Sequence, residues 1–174
     1  MFTKAFKPAN GPQAIGPYSP AVKLGDFVYL SGQLPIDPLT NELVVGDITQ
    51  QTTQVMENIK AVLAEMSLEM RHVLKTTVFL SDMANFAKMN EVYGSYFSEP
   101  YPARSAVQVA ALPKGALVEI ECMVIDTLAY ELAATTTGCC GGDCDEGCDS
   151  GCDSGCDCGD DHDSECESCC SDKE

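Results

Sequence analysis

The stretch PARSAVQVAALPKGALVEIE, residues 102–121, places one arginine and two glutamates in segments that otherwise have the composition of buried β-strands. The breaker Leu112-Pro113-Lys114-Gly115 divides the stretch, which predicts one strand from Arg104 to Val109 and a second from Ala116 to Ile125. The sequence therefore predicts two strands that carry charges where a sheet usually buries apolar side chains.

These charges allow two interpretations. Side chains alternate along a strand, so Glu119 and Glu121 share one face of the second strand, about 7 Å apart. Arg104, Ala106 and Gln108 share a face of the first strand, and we expect an arginine and a glutamate to meet across the sheet. The result is either a structural ion pair at a sheet face or subunit boundary, or a pocket in which Arg104 grips a carboxylate while Glu119 handles a proton.

The chain upstream of this stretch predicts the rest of an α+β domain. Strands are expected at 2–7, 21–24, 27–32 and 72–82, with the turn Gly25-Asp26 closing a hairpin. Apolar residues at helical spacing predict one helix after the N-cap Asp47 and a second over 83–99, before Pro100. This order predicts a six-stranded sheet with two helices on one face, and neighbouring subunits that cover the other face.

The C-terminal part has a different composition. Residues 138–174 hold ten of the eleven cysteines and thirteen acidic side chains against Lys173 alone, which is −12 of the net charge of −17. They contain no large aliphatic or aromatic residue, so we expect no fixed structure without a ligand. The sequence predicts a domain at 1–128, a connector at 129–137 and this acidic tail.

The cysteines of the tail have three interpretations: disulfides, a site for soft metal ions such as zinc, copper(I) or cadmium, or a solvated extension. Metal binding is favoured where thiols stay reduced. Five of these candidate metal ligands recur at every fourth position: Cys140, Cys144, Cys148, Cys152 and Cys156.

Several classes of function are disfavoured by composition. The chain lacks the clustered Lys and Arg that neutralise phosphates, so we expect no nucleic-acid partner. No apolar run approaches the ~20 residues that span a bilayer, and the N-terminal segment lacks the apolar centre of a signal peptide. We therefore expect a cytoplasmic protein without a membrane partner.

The same stretch resembles the signature of the RidA (YjgF) family of reactive intermediate deaminases. Three further segments are similar to family motifs in the right order: AIGPYSPAV at 14–22, VYLSGQLPIDPLTNEL at 28–43 and VLKTTVFLSDMANFAKMNEVYGSYF at 73–97. The resemblance covers most of residues 2–127. It implies a chorismate-mutase-like fold, a homotrimer with a barrel-like core and outer helices, and active sites at the subunit interfaces.

The family resemblance also implies a reaction. Members hydrolyse enamines and imines such as 2-aminoacrylate and 2-iminopropanoate to 2-oxo acids and ammonia, without a metal or cofactor. By position, Arg104 would bind the carboxylate of the imino acid, and Glu119 would orient water and relay protons. The positions that match the substrate pocket are Tyr18, Ser31, Gly32, Asn90 and Ala106.

Two positions depart from the family pattern. Ala106 stands where many members have Cys or Thr, which removes any role for a side-chain thiol but leaves the backbone. Asn41 stands where Gly more often precedes the Glu, and Asn tolerates the positive φ of such a turn. The alternative function is a non-catalytic ligand-binding or stress-response module of the chaperone or translation-inhibitor type.

Overall fold

The computed structural model describes residues 3–6 and 16–136. Within them lie six strands and three α-helices. In chain order these are β1 (Lys4–Phe6), β2 (Ala21–Leu24), β3 (Phe27–Gln33), α1 (Ile48–Ala64), β4 (Val73–Leu80), α2 (Phe86–Gly94), β5 (Ala103–Gln108), β6 (Val118–Ile125) and α3 (Leu128–Thr136).

The six strands form one sheet in the order β1-β2-β3-β6-β4-β5. Four neighbouring pairs are antiparallel, and only β4 and β5 run parallel, joined by the crossover through α2. The predicted α+β fold with a mostly antiparallel six-stranded sheet is therefore confirmed. The second helix is shorter than predicted, because Met83–Asn85 form a 3-10 turn and α2 ends at Gly94.

Helix α1 begins where the sequence predicts. Asp47 accepts a hydrogen bond from the backbone N–H of Gln50, whose side chain accepts one from the backbone N–H of Asp47, forming a capping box. Further along the helix, the buried Asn58 donates to the carbonyls of Leu34 (3.0 Å) and Ile36 (2.8 Å). These bonds fix the loop after β3 against the helix. In that loop Asn41 has φ 58°, as its tolerance of the left-handed region predicts.

The two faces of the sheet differ in burial. The helix-covered face holds the core, and β6 contributes to it Val118, Ile120, Cys122 and Val124, each at most 4% exposed. The opposite face, called the bare face below, carries large apolar side chains that stay exposed in one protomer. Phe27 is 44% exposed, Tyr29 53% and Val107 43%.

A third helix lies in the predicted connector. The stretch LAYELAATT of α3 consists largely of Ala, Leu and Glu, which have high helix propensity, although this segment was predicted only as a connector. The chain divides into the units Met1–Leu128 and Ala129–Glu174. Residues 138–174, with the predicted metal ligands, lie outside the described residues. Among the described helices, none is long and apolar enough to cross a membrane.

Candidate active site

Glu119 lies on the bare face, against the backbone of β3. A β-bulge separates the pairs Leu30–Cys122 and Gln33–Ile120. At this bulge a methyl group on Gly32 would overlap the Glu119 carboxylate, so the glycine leaves room for the carboxylate where it lies. Burial, and then the negative charge of Glu121, raise the pKa of Glu119 above its ordinary value.

Ser31 fastens the segment that carries Tyr18 to the same bulge. Its hydroxyl donates to the carbonyl of Ser19 (2.8 Å), and its backbone N–H donates to the carbonyl of Pro20 (3.0 Å). Tyr18 follows the turn at Gly16 and is 48% exposed. The structure thus places Ser31 and Gly32 at the bulge that contacts Glu119 and ties the segment after Tyr18 to the same strand.

Arg104 lies on edge strand β5 and faces helix α2. In the parallel register Arg104 stands opposite Thr76, which is buried on the helix-covered face. The Arg104 guanidinium carbon lies 4.6 Å from the ring centroid of Tyr93 and 5.6 Å from that of Phe86. Among residues 3–6 and 16–136 no carboxylate forms an ion pair with Arg104.

Asn90 and Ala106 belong to the Arg104 side of the molecule. Phe86, Asn90 and Tyr93 are spaced i, i+4 and i+7, so they share one face of α2, and Asn90 is exposed there. Ala106 stands opposite the buried Val78 and packs against the core. Arg104, Asn90 and Ala106 therefore form a second group of predicted pocket residues.

The expectation that Arg104 and Glu119 meet across one sheet is wrong within a protomer. Arg104 is opposite Thr76 of β4, and Glu119 is opposite Phe79 of the same strand. These two positions differ by three residues, an odd number, so their side chains leave opposite faces of the sheet. The alternation within each strand was predicted correctly, but the register between the strands depends on how the parallel crossover packs.

The grooves described for residues 3–6 and 16–136 do not join the two groups. Two grooves of about 700 and 650 Å³ lie beside α1 and α2, and neither is lined by Arg104 or Glu119. In the described part of the chain, no three His, Cys, Asp or Glu side chains come close enough to hold a metal ion. The arrangement presents a cation and a carboxylate with raised pKa on two separate surfaces.

The contact between Arg104 and the aromatic rings of α2 was not predicted from the sequence. Phe86 and Tyr93 lie among the apolar residues at helical spacing that predict the second helix, and this spacing describes only their packing. The topology could have indicated this contact. A helix that connects two parallel strands must pack on them, so its aromatic residues face the side chains of the edge strand. The register between β4 and β5 is needed to identify Arg104 as the residue that these rings contact.

Comparisons with known proteins agree with this geometry. The sequence model of the family described as endoribonuclease L-PSP matches residues 8–126. A RutC family protein of Pyrococcus horikoshii is 57% identical over 112 residues, 64% of this chain and 89% of the relative. The 2-iminobutanoate/2-iminopropanoate deaminase of Mus musculus is 42% identical over 125 residues, 72% of this chain and 93% of the relative.

Solved structures show the same fold. The crystal structure of RidA from an Antarctic Psychrobacter species is 49% identical and superposes with a TM-score of 0.68, covering 71% of this chain and 99% of that one. A family match over more than half of the chain and relatives of this identity leave one conclusion. The chain belongs to the endoribonuclease L-PSP family, which includes the RidA and RutC proteins.

Proposed function

We propose that the protein is a hydrolytic deaminase that converts short 2-imino acids and their enamines, such as 2-iminopropanoate and 2-aminoacrylate, to 2-oxo acids and ammonia. One observation carries the proposal: a guanidinium, Arg104, is held on aromatic rings with no carboxylate partner among the described residues. Such a group is suited to grip a substrate carboxylate. The deaminase name of the mouse relative supports the same reaction.

The proposed site forms between two copies of the chain. Arg104 and Glu119 lie on opposite faces of one sheet, so one substrate can reach both only if they come from different protomers. Phe27, Tyr29 and Val107 expose apolar surface on the bare face, and contact with a second copy of the chain would bury it. A closed ring of three chains, as the family resemblance implies, would form three equivalent sites.

Substrate binding is the first step of the proposed mechanism. The two parallel N–H groups of Arg104 donate to the two carboxylate oxygens of the imino acid and fix the orientation of its C2 carbon. An enamine first takes a proton at C3 and becomes the iminium form. The C2 of a protonated imine is already electrophilic, so positioned groups suffice, and we propose no metal or cofactor for this step.

Hydrolysis then proceeds through Glu119. Its carboxylate accepts a proton from a water molecule as the water oxygen bonds to C2, which gives a tetrahedral carbinolamine. Glu119 returns the proton to the nitrogen. As the C–N bond breaks and ammonia leaves, Glu119 accepts the proton of the new hydroxyl group, so that C2 becomes a carbonyl. A carboxyl group with raised pKa is suited to both transfers near neutral pH.

A coupled assay tests this proposal. An amino-acid oxidase or a serine dehydratase supplies the imine, and the rate of 2-oxo acid release is measured with and without the purified protein. We expect Arg104→Ala to fall to the uncatalysed rate, and Arg104→Lys to fail substantially, because an ammonium cannot replace the planar fork. Glu119→Gln should lose roughly 10²–10⁴-fold.

The control variant is Glu121→Gln, which removes a carboxylate from the same strand and should keep most of the activity. A wild-type protein that binds 2-oxo acids but never accelerates their release would instead indicate the non-catalytic ligand-binding function. More than a few per cent of activity in Arg104→Ala would remove the proposed carboxylate anchor.

We also propose that residues 138–174 bind soft metal ions through thiolates. Ten cysteines among thirteen acidic side chains in one segment favour zinc, copper(I) or cadmium in a reducing compartment such as the cytoplasm. The test titrates these ions into fully reduced protein, with and without residues 138–174. Deletion should remove nearly all tight binding and leave imine hydrolysis unchanged. A reduced full-length protein that binds none of the three ions would leave the tail as a solvated extension.

A further inference from the structure

Phe86 and Tyr93 form an aromatic platform beside the Arg104 guanidinium, and Tyr93 is held in place by further contacts. Tyr93 is only 4% exposed, and its hydroxyl lies 2.8 Å from the hydroxyl of Thr76, which is 1% exposed. On another side the ring of Phe97 lies 4.7 Å away, centroid to centroid, at 42°. The Tyr93 ring is thus fixed by a hydrogen bond and by a ring contact before Arg104 is considered.

The same hydroxyl pair links the platform to the register of the sheet. Thr76 stands directly opposite Arg104 in the β4–β5 pairing. The hydrogen bond between Thr76 and Tyr93 therefore positions the ring above the strand pair from which the arginine extends. Phe86 lies two turns earlier on the same face of α2, with its ring centroid 5.6 Å from the guanidinium carbon, and it widens the aromatic surface.

We propose that Tyr93 is a positioning residue for the carboxylate grip of Arg104. The proposal rests on the proposed function, because it concerns the geometry of that grip. The ring face attracts the guanidinium through its negative quadrupole, and a stacked guanidinium keeps its N–H donors in plane, free for a substrate carboxylate. Without the ring, the arginine side chain on an edge strand would lose rotamer freedom only when the substrate binds, which weakens binding.

The decisive substitution removes the ring and keeps an apolar side chain. Tyr93→Leu should raise the dissociation constant of 2-oxobutanoate, the product of 2-iminobutanoate hydrolysis, by roughly 3- to 30-fold. Titration calorimetry measures this constant. In the coupled assay KM for the imino acid should rise by a similar factor, with a smaller change in kcat. Tyr93→Phe keeps the ring and should stay within about threefold of wild type.

Phe97→Leu is the matched control. It removes a ring of similar size that packs against Tyr93, and Phe97 is not among the rings that the guanidinium of Arg104 contacts. A loss of core packing alone would make the two leucine variants alike in stability and in ligand affinity. We expect them to be alike in stability, with a clearly smaller loss of ligand affinity in Phe97→Leu, because the Thr76 hydrogen bond still holds the Tyr93 ring. Equal losses of 2-oxobutanoate affinity in both would overturn the proposal.

A double-mutant cycle separates this inference from the proposed function. In an Arg104→Lys background, Tyr93→Leu should change the 2-oxobutanoate affinity much less than in wild type, since the group that it positions is gone. Full additivity would overturn the positioning role and leave the anchor intact. Binding unaffected by Arg104→Ala would instead overturn the proposed anchor. If Tyr93→Leu fails to fold, Phe86→Leu provides the test. We expect it to raise the dissociation constant of 2-oxobutanoate by roughly two- to fivefold. An unchanged dissociation constant would contradict the role of the aromatic rings.

Discussion

Each face of the sheet carries apolar side chains and one charged residue of the proposed site, but the two faces differ in what surrounds these residues. On the helix-covered face, apolar side chains are buried within the chain, and Arg104 is held by the rings of α2. On the bare face, apolar side chains are exposed and Glu119 lies against a glycine at a bulge. The first face is covered by helices of the same chain, whereas the second is exposed.

The separation of the two faces restricts where the proposed chemistry can occur. Among the described residues no carboxylate pairs with Arg104, and burial raises the pKa of Glu119. On one face of the sheet the two side chains would form an ion pair with each other. The sheet separates them, so each stays available for a ligand. A second copy of the chain would bring a Glu119 surface to an Arg104 surface.

The largest effect is expected when Arg104 and Glu119 are divided between different chains. Arg104→Ala and Glu119→Gln proteins should each be inactive alone. Because random assembly places an intact arginine beside an intact glutamate at one interface in four, mixed oligomers should recover about a quarter of the wild-type activity. The coupled imine assay measures recovery after unfolding and refolding the two variants together.

Native mass spectrometry provides the control for mixing. If mixed trimers form and remain inactive, Arg104 and Glu119 act within one protomer or not at all, and the separation of faces has no functional meaning. Refolded mixtures of wild type with either variant give the reference for losses caused by refolding.

A second prediction tests whether the bare face is covered. Tyr29→Asp places a charge on it, and burying an unpaired carboxylate at an interface costs on the order of 3–5 kcal/mol. We expect the mass by light scattering to fall from three chains to one and imine hydrolysis to fall with it. Thr53→Asp, on the exposed side of α1, is the control and should change neither. A trimeric Tyr29→Asp protein would mean that this face stays in water.

The sequence predicts one face of this molecule better than the other. Burial alternation in β6 and the cap at Asp47 follow from local spacing, so Val118 to Val124 and the start of α1 were predicted correctly. The placement of Arg104 and Glu119 on opposite faces of the sheet was not predicted. The register of β4 with both of its neighbours decides this placement, and packing over long sequence separations sets that register. The aromatic platform of Tyr93 was missed for the same reason.

A smaller effect should separate the two glutamates of β6. The charge of Glu121 helps to raise the pKa of Glu119, after the larger effect of burial. If the ionised Glu119 is the base, kcat/KM falls as the pH drops through its raised pKa. Glu121→Gln removes a negative charge, favours ionisation of Glu119 and should move this acid limb to lower pH. The control Glu42→Gln, in an exposed loop, should leave the profile in place, and an upward shift in Glu121→Gln would contradict the assignment.

The smallest predicted effect contrasts Arg104 with a cation that is paired within the chain. Lys23 of β2 forms an ion pair with Asp126, at the end of β6. The hydrogen bond from Lys23 is the largest cause that lowers the pKa of Asp126. Lys23→Met should therefore reduce the free energy of unfolding by roughly 0.2–1 kcal/mol at pH 7, the range for ion pairs near the surface, and leave imine hydrolysis unchanged.

The pH dependence of this loss has a definite sign. A carboxyl group with a depressed pKa in the folded protein stabilises it above the unfolded pKa of about 3.9, and this stabilisation disappears as the pH falls through the folded pKa. Urea unfolding of Lys23→Met and wild type, at one protein concentration, should differ at pH 7 and converge below about pH 4. Arg104→Ala should behave in the opposite way, with activity lost and stability kept. If Lys23→Met lost activity, or Arg104→Ala lost as much stability as Lys23→Met, the distinction between a structural cation and a ligand-binding one would fail.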